Sequence, residues 1–156
     1  MIRPIVMFPS SVLTTPCKPV ENFDERLHTL IQDHWDTLRS TENGYGLAAP
    51  QIGVSLQVAI VDTRDCEDEI AGQAYVLINP QVMPVGDKVE IDEEGCLSMP
   101  GVFLEVPRPA KIVCKFVGED KRVHGITAAG LTGRAIQHEV DHLAGIMFFS
   151  RTKNRP

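Results

Sequence analysis

The chain has 156 residues, of which 43% are hydrophobic and 23% are charged, and its formal net charge is −6. This is an ordinary composition for a soluble globular protein, and the length predicts one domain over residues 1–156. The acidic balance and scattered Arg and Lys residues indicate no surface for nucleic acid, and no apolar run approaches the length of a membrane span.

The N-terminal part predicts an extended arm followed by one helix. Residues 1–20 contain four prolines, which disfavour a helix there. From Phe23 onward, apolar residues recur with the 3.6-residue period and predict an amphipathic helix that ends before Asn43-Gly44. These residues are Phe23, Leu27, Leu30, Ile31, Trp35 and Leu38.

The remainder predicts strands and then a second helix. Short runs rich in Val and Ile predict strands at Leu56–Val61, Ala74–Ile78, Lys88–Ile91 and Ala110–Val117. Thr132 is the expected N-cap of the last helix, and Gly145 is expected to end it. The fold class is therefore α+β, with short, mostly antiparallel strands packed around a buried C-terminal helix.

The cysteine pattern bears on the cellular compartment. No two of the four cysteines show C-x-x-C spacing, which argues against a zinc knuckle or a thioredoxin-type pair. A chain of this length does not need a disulfide scaffold, and its N-terminus has no apolar run of signal-peptide length. We therefore expect a cytoplasmic location. Three cysteines are expected to be inert and buried, namely Cys17, Cys66 and Cys114.

His138-Glu139-Val140-Asp141-His142 forms an H-E-x-x-H pentad. Positions i and i+4 lie on one helix face, so both imidazoles can bind one metal ion, with Glu139 placed to handle protons on a bound water. The alternative is a solvated helix face that carries two histidines. Catalytic sites of this type usually take three protein ligands. Residues 143–156 contain no Asp, Glu, His or Cys, so a third ligand has to come from upstream.

Cys96 is the favoured third ligand on chemical grounds. It lies in Glu94-Gly95-Cys96-Leu97-Ser98, where the glycine allows close backbone approach and the position is expected to be a strand end. The other cysteines, the three remaining histidines and the upstream carboxylates stay open as alternatives. A second glycine-containing segment, Gly44–Gln51, is either a tight turn or a place where backbone and the Gln51 amide approach a ligand.

These three segments together resemble the peptide deformylase family. The family signatures G-x-G-x-A-A-x-Q, E-G-C-x-S and Q-H-E-x-D-H occur in this order as Gly44–Gln51, Glu94–Ser98 and Gln137–His142. The resemblance covers essentially the whole chain. It implies a metal-dependent hydrolase that removes the N-terminal formyl group from formyl-methionyl polypeptides, with formate and a free N-terminal methionine as products.

The resemblance also implies roles for particular residues. Cys96, His138 and His142 would bind one divalent metal ion, with a water in the fourth position as the nucleophile. Iron(II) is the expected metal, and zinc, nickel or cobalt can replace it. Glu139 would act as the general base and then as the acid. The developing oxyanion would be held by the side chain of Gln51 and the backbone N–H of Leu97.

Substrate binding is expected to use exposed backbone and one apolar pocket. An extended peptide can pair with backbone near Tyr45-Gly46 and near Gly95. In the family, the methionine pocket is partly lined by the metal-bearing helix. Here Leu131 and Ala135 are the candidate lining residues, with Arg134 at the rim.

One charged pair near the site has two interpretations. Glu94 and Arg108 either form an ion pair that braces the Cys96 segment or a surface pair of little consequence.

The expected partners are N-formyl-methionyl nascent peptides, in proximity to the ribosome, and the protein is expected to be a monomer. Two other functions are kept as alternatives. One is a metallopeptidase that cuts internal peptide bonds, and the other is a non-catalytic metal-binding protein of the same fold. The missing downstream ligand argues against the first, and Glu139 and Gln51, which a purely structural site does not need, argue against the second.

Overall fold

The computed structural model describes residues 1–67 and 72–152. Within them lie two α-helices, α1 (Glu25–Arg39) and α2 (Gly130–Leu143). The strands are β1 (Gly46–Ala48), β2 (Val58–Asp62), β3 (Ala74–Pro84), β4 (Val89–Cys96), β5 (Met99–Pro109), β6 (Lys111–Val117) and β7 (Val123–Ala129). This arrangement confirms the predicted α+β class.

The strands form two antiparallel sheets. The larger has the order β1-β2-β3-β6-β7, and β4 pairs with β5 in a separate hairpin. Each of the four predicted strands overlaps an observed one, namely β2, β3, β4 or β6. The sequence patterns missed β1, β5 and β7. β1 has only three residues, β5 contains three prolines, and β7 contains one glycine and two alanines, so each lacks the usual strand composition.

Helix α1 has the predicted amphipathic character. Asp24 caps it by accepting hydrogen bonds from the backbone N–H groups of Arg26 and Leu27. The buried apolar face packs against β1 and β2, and the helix ends at Arg39, before Asn43-Gly44 as predicted. The preceding arm, residues 1–24, contains no α-helix but has a turn at Phe8-Pro9 and a 3₁₀ turn at Ser11–Thr14.

Helix α2 begins earlier than predicted. Its N-cap is Ala129, which makes no side-chain capping bond, so the prediction of Thr132 as the N-cap is wrong. Thr132 lies inside the helix, buried, with its hydroxyl 2.6 Å from the hydroxyl of Thr63. A buried tertiary partner thus replaces the local capping bond. Gly145 follows the helix with φ +75°, the left-handed conformation expected at a helix end.

The position of α2 determines where the functional segments meet. The helix packs against β1, β2 and β7 of the larger sheet, and the predicted burial of this helix is confirmed. The β4–β5 hairpin brings Cys96 to the other side of the helix. There Cys96 joins an apolar cluster with Leu13, Val106, Met147 and Phe148.

Candidate metal centre and substrate cavity

The pentad lies on the inward side of α2. His138, Glu139 and His142 are all buried, and the two imidazole rings are 4.9 Å apart between centroids. Because the residues are spaced by one helical turn, both rings reach the same point between the helix and the hairpin. The alternative of a solvated helix face is therefore wrong.

Cys96 reaches that same point from the end of β4. Its position at a strand end agrees with the prediction from the sequence. The register of the β4–β5 pairing shifts between Gly95 and Cys96. This irregularity ends the regular strand pairing at the residue that carries the thiol. The Cys96 Sγ atom lies 3.4 Å from Nε2 of His142. The ligand atoms of Cys96, His138 and His142 all lie within 4.8 Å of one another.

Glu94 orients the first histidine. Its Oε1 is 2.9 Å from Nδ1 of His138, which leaves Nε2 of that ring for a metal. Burial opposes ionisation of Glu94, but hydrogen bonds from His138 and Arg108 hold its pKa at about 2. Metal-binding histidines usually have such a partner on the other nitrogen, because it fixes the tautomer and the ring orientation.

The Glu94–Arg108 pair is a buried ion pair, and the surface-pair interpretation is wrong. Arg108 donates from Nη2 to Oε1 of Glu94 at 2.9 Å, and both side chains are 5% exposed. Arg108 also donates to Asp141 at 3.0 Å. The expectation for Arg134 was wrong as well. Its guanidinium does not lie at the rim but is buried against Glu94, at 2.8 Å.

Gln51 lies across the cavity from the helix. Its Oε1 accepts a hydrogen bond of 2.9 Å from the backbone N–H of Ala48, and this fixes the orientation of the amide. Its Nε2 then points at the centre, 3.7 Å from Sγ of Cys96 and 3.2 Å from the hydroxyl of Ser98. The side chain is 1% exposed, so a donor is held in place beside the thiol.

Glu139 is a buried carboxyl group with spare hydrogen-bonding capacity. Burial raises its pKa to about 7, against the opposing charge of His138. Its Oε2 has no hydrogen-bond partner among residues 1–67 and 72–152. Gly46 of β1 lies directly against it, because a Cβ at that position would be 2.8 Å from Cγ of Glu139.

The histidine environments fit a cation at this point. Burial lowers the pKa of His142, so that its ring is neutral and has a lone pair to offer. Burial also disfavours charge on His138, but hydrogen bonds to Cys96 and Glu94 raise its pKa to about 10. A cysteine sulfur with two imidazoles is a donor set for divalent transition metals.

A cavity of about 500 Å³ opens onto these groups. Tyr45 and Gly46 line one side and Gly95 and Leu97 the other. The predicted residues Leu131 and Ala135 line it from α2, next to His138 and Glu139. The site residues expected from the sequence all line this cavity except His142, which is buried beside Cys96.

Sequence reasoning did not predict the contacts that two residues make at the site. Arg134 lies one turn before His138 on the same helix face, and this spacing was the signal that could have found it. Ser98 closes the Cys96 segment and takes a hydrogen bond from Gln51. Its partner is distant in the chain, so no local pattern indicates the contact.

Neither helix in the described part of the chain is long and apolar enough to cross a membrane.

Comparison with known proteins agrees with this geometry. The sequence matches the family described as polypeptide deformylase over residues 2–156. "Peptide deformylase 1" of Bacillus anthracis is 44% identical over 147 residues, which is 94% of this chain and 90% of that protein. The peptide deformylase of Thermosynechococcus vestitus is 40% identical over 144 residues, 92% of this chain and 75% of that protein.

Solved structures show the same fold. The peptide deformylase of Thermotoga maritima superposes with a TM-score of 0.89 at 32% identity, covering 99% of both chains. That of Ehrlichia chaffeensis gives a TM-score of 0.90 at 31% identity, covering 97% of this chain and 88% of the other. The chain therefore belongs to the polypeptide deformylase family of metal-dependent hydrolases.

Proposed function

We propose that this protein hydrolyses the formyl–nitrogen bond of N-formyl-methionyl peptides, with formate and a free N-terminal methionine as products. The observation that carries the proposal is the meeting of three chain segments at one point. Cys96, His138, Gln51 and Glu139 line the same cavity, and His142 lies beside them with its Nε2 3.4 Å from Sγ of Cys96. Because these groups come from β4, α2 and the segment after β1, we also propose that residues 1–156 act as one catalytic domain.

Cys96, His138 and His142 would hold the metal ion. Iron(II) is the proposed resident ion, and zinc, nickel or cobalt can take its place with the same donors. When bound, a divalent ion supplies a Lewis acid that lowers the pKa of water from 15.7 to about 7 and so provides a nucleophile at neutral pH.

Glu139 would move the proton. A carboxyl group with a pKa of about 7 is well matched to neutral pH, because it can both accept and release a proton there. It takes the proton of the attacking water as the bond from oxygen to the formyl carbon forms. It then delivers that proton to the peptide nitrogen as the carbon–nitrogen bond breaks, which releases the amine.

Gln51 and Leu97 would stabilise the charge that develops on the formyl oxygen. The Gln51 amide is held by Ala48 and needs no reorganisation during the reaction. Donors that are fixed in this way are effective in a buried site, where removal of one costs about 10²–10³-fold in kcat. The backbone N–H of Leu97 would act as the second donor from the other wall of the cavity.

The peptide would bind between two sheet edges. β1 ends one sheet and β4 belongs to a two-stranded hairpin, so both present an edge in the described part of the chain. Tyr45, Gly46 and Gly95 lie where an extended peptide can add its backbone hydrogen bonds. Leu131 and Ala135 are the proposed walls for the methionine side chain. A monomeric state, proximity to the ribosome and a cytoplasmic location stay predictions.

The test is formate release from formyl-Met-Ala by the metal-loaded protein, with an internally quenched peptide as the competing substrate. We expect the first to be hydrolysed and the second to stay intact. Glu139→Gln should keep the metal and lose about 10²–10⁴-fold in rate, the usual contribution of general acid–base catalysis. Glu105→Gln, an exposed change on β5, is the matched control. Near-normal turnover by Glu139→Gln would remove Glu139 from this role, and cleavage of the quenched peptide would favour a metallopeptidase.

A further inference from the structure

Arg134 makes contacts that the proposed reaction does not use. It lies on α2, and its side chain is 10% exposed. Nη1 donates to Oε2 of Glu94 at 2.8 Å and to the backbone carbonyl of Val106 at 2.7 Å. Nη2 donates to the backbone carbonyl of Glu90 at 3.0 Å. One side chain therefore ties α2 to both strands of the β4–β5 hairpin.

This tie joins the two halves of the candidate metal centre. The thiol of Cys96 is carried by β4, two residues after Glu94, whereas both histidines are carried by α2. Arg134 is the arginine of α2 that contacts Glu94, and Glu94 in turn contacts His138 at 2.9 Å. The hairpin is a separate sheet from the one on which α2 packs, so such cross-links hold it against the helix.

Arg108 does not make Arg134 redundant. Arg108 comes from β5 and binds both Glu94 and Asp141 of α2, so it is a second link between the hairpin and the helix, whereas Arg134 binds the backbone carbonyls of Val106 and Glu90. Without Arg134, Glu94 would keep its pairing with Arg108, but the buried carbonyl of Val106 would lose the 2.7 Å donor from α2. Loss of this hydrogen bond to a buried carbonyl weakens the contact between the two elements and favours movement of the hairpin away from the helix.

Arg134 also contributes to the wall of the substrate cavity. It lines that space together with Leu131 and Ala135. Its guanidinium is engaged by Glu94 and two carbonyls, so the part of the side chain that remains for the cavity is the apolar stem. The same residue therefore contacts both the substrate space and the support of the metal ligands.

We propose that Arg134 is a positioning residue, which holds the Cys96-bearing hairpin against the histidine-bearing helix and forms part of the cavity wall with its stem. The first half of the proposal, the link between the hairpin and the helix, concerns the metal alone. The second half, the wall for the methionine side chain, rests on the proposed deformylase function.

The first half is tested by metal retention, which needs no substrate. Protein loaded with Ni(II) is mixed with excess EDTA, and release of the ion is followed for the wild type, Arg134→Met and Arg134→Lys. Loss of a partner that supports metal ligands typically costs 10–100-fold in metal affinity, so we expect the Met variant to release Ni(II) about 10–100-fold faster. The Lys variant should release Ni(II) at an intermediate rate, because one ammonium group can replace only some of the hydrogen bonds that the guanidinium group donates.

The matched control is Arg3→Met, which removes another arginine that is paired with a buried carboxylate, that of Asp33 on α1. It should unfold at a lower temperature and release Ni(II) at the wild-type rate. If Arg134→Met also lowers only the unfolding temperature and keeps wild-type release, the residue is merely structural and the proposal is overturned. Should the Met variant fail to fold, the Lys variant decides on the same criterion.

The second half is tested by kinetics with formyl-Met-Ala. Arg134→Met keeps an unbranched apolar side chain, so KM should stay within about twofold, whereas Arg134→Ala removes the wall and should raise KM several-fold. Equal KM values in the two variants would overturn this half. A wild-type protein that releases no formate would instead contradict the proposed function, and the Ni(II) measurements would still stand.

Discussion

Gly46 is the position at which the smallest substitution should have the largest effect on the chemistry. A Cβ added there would lie 2.8 Å from Cγ and 3.0 Å from Cδ of Glu139, and 3.0 Å from the backbone oxygen of Ile60. The Ile60 oxygen belongs to β2, which pairs with β1 and β3 and cannot move easily. Glu139 therefore has to yield.

The size of the displacement follows from ordinary contact distances. Normal van der Waals contact begins at 3.4 Å, so Cγ of Glu139 has to move by about 0.6 Å. A misplacement of about 1 Å at a catalytic group can cost about 10²-fold in rate, so we expect Gly46→Ala to lower kcat by about 10- to 100-fold. None of the three atoms nearest to this Cβ belongs to a proposed metal ligand, so we expect metal content to be unchanged.

The assay is formate release from formyl-Met-Ala at saturating substrate, with metal analysis of the same preparation. Gly125→Ala is the matched control, since this strand glycine has nothing within 4 Å of an added Cβ. It should keep wild-type kcat. The reasoning is refuted if Gly46→Ala keeps wild-type kcat and changes only KM, because the methyl group would then obstruct the peptide rather than displace Glu139.

Two further predictions concern the amide and the pH dependence of stability. Gln51→Ala should lower kcat by about 10²–10³-fold through loss of one oxyanion donor, with Gln57→Ala as the control; an effect on KM alone would make Gln51 a binding residue. Burial lowers the pKa of His34 from 6.5 to about 4, so between these pH values the unfolded chain binds a proton that the folded chain does not. The free energy of unfolding should therefore fall by up to about 3 kcal/mol from pH 6.5 to pH 4, and His34→Gln should remove that part of the slope in urea titrations. His28→Gln, at an exposed position of the same helix, is the control and should leave the pH dependence of the unfolding free energy unchanged. Identical pH dependence for wild type and His34→Gln would contradict this account.

Local patterns predicted much of the fold because they report burial directly. The apolar period of α1 and the alternation of Ile112, Cys114 and Phe116 in β6 reflect which faces meet the core, and the structure confirms both. β5 could not be predicted in this way. Its prolines disfavour an ordinary strand, yet it needs only one partner, β4, and tolerates them.

The sequence by itself determined the chemistry available to this protein. The three signatures contain the side chains proposed to bind the metal, the proposed acid–base carboxyl group and the proposed amide donor, because such chemistry requires particular residue types at particular local spacings. What only the tertiary structure decided is how those groups are supported. The burial of Glu94 between Arg108 and Arg134, and the approach of Gly46 to Glu139, depend on residues distant in the chain. Local spacing carries no information on such contacts, since they arise only when the hairpin, the sheet edge and α2 pack together.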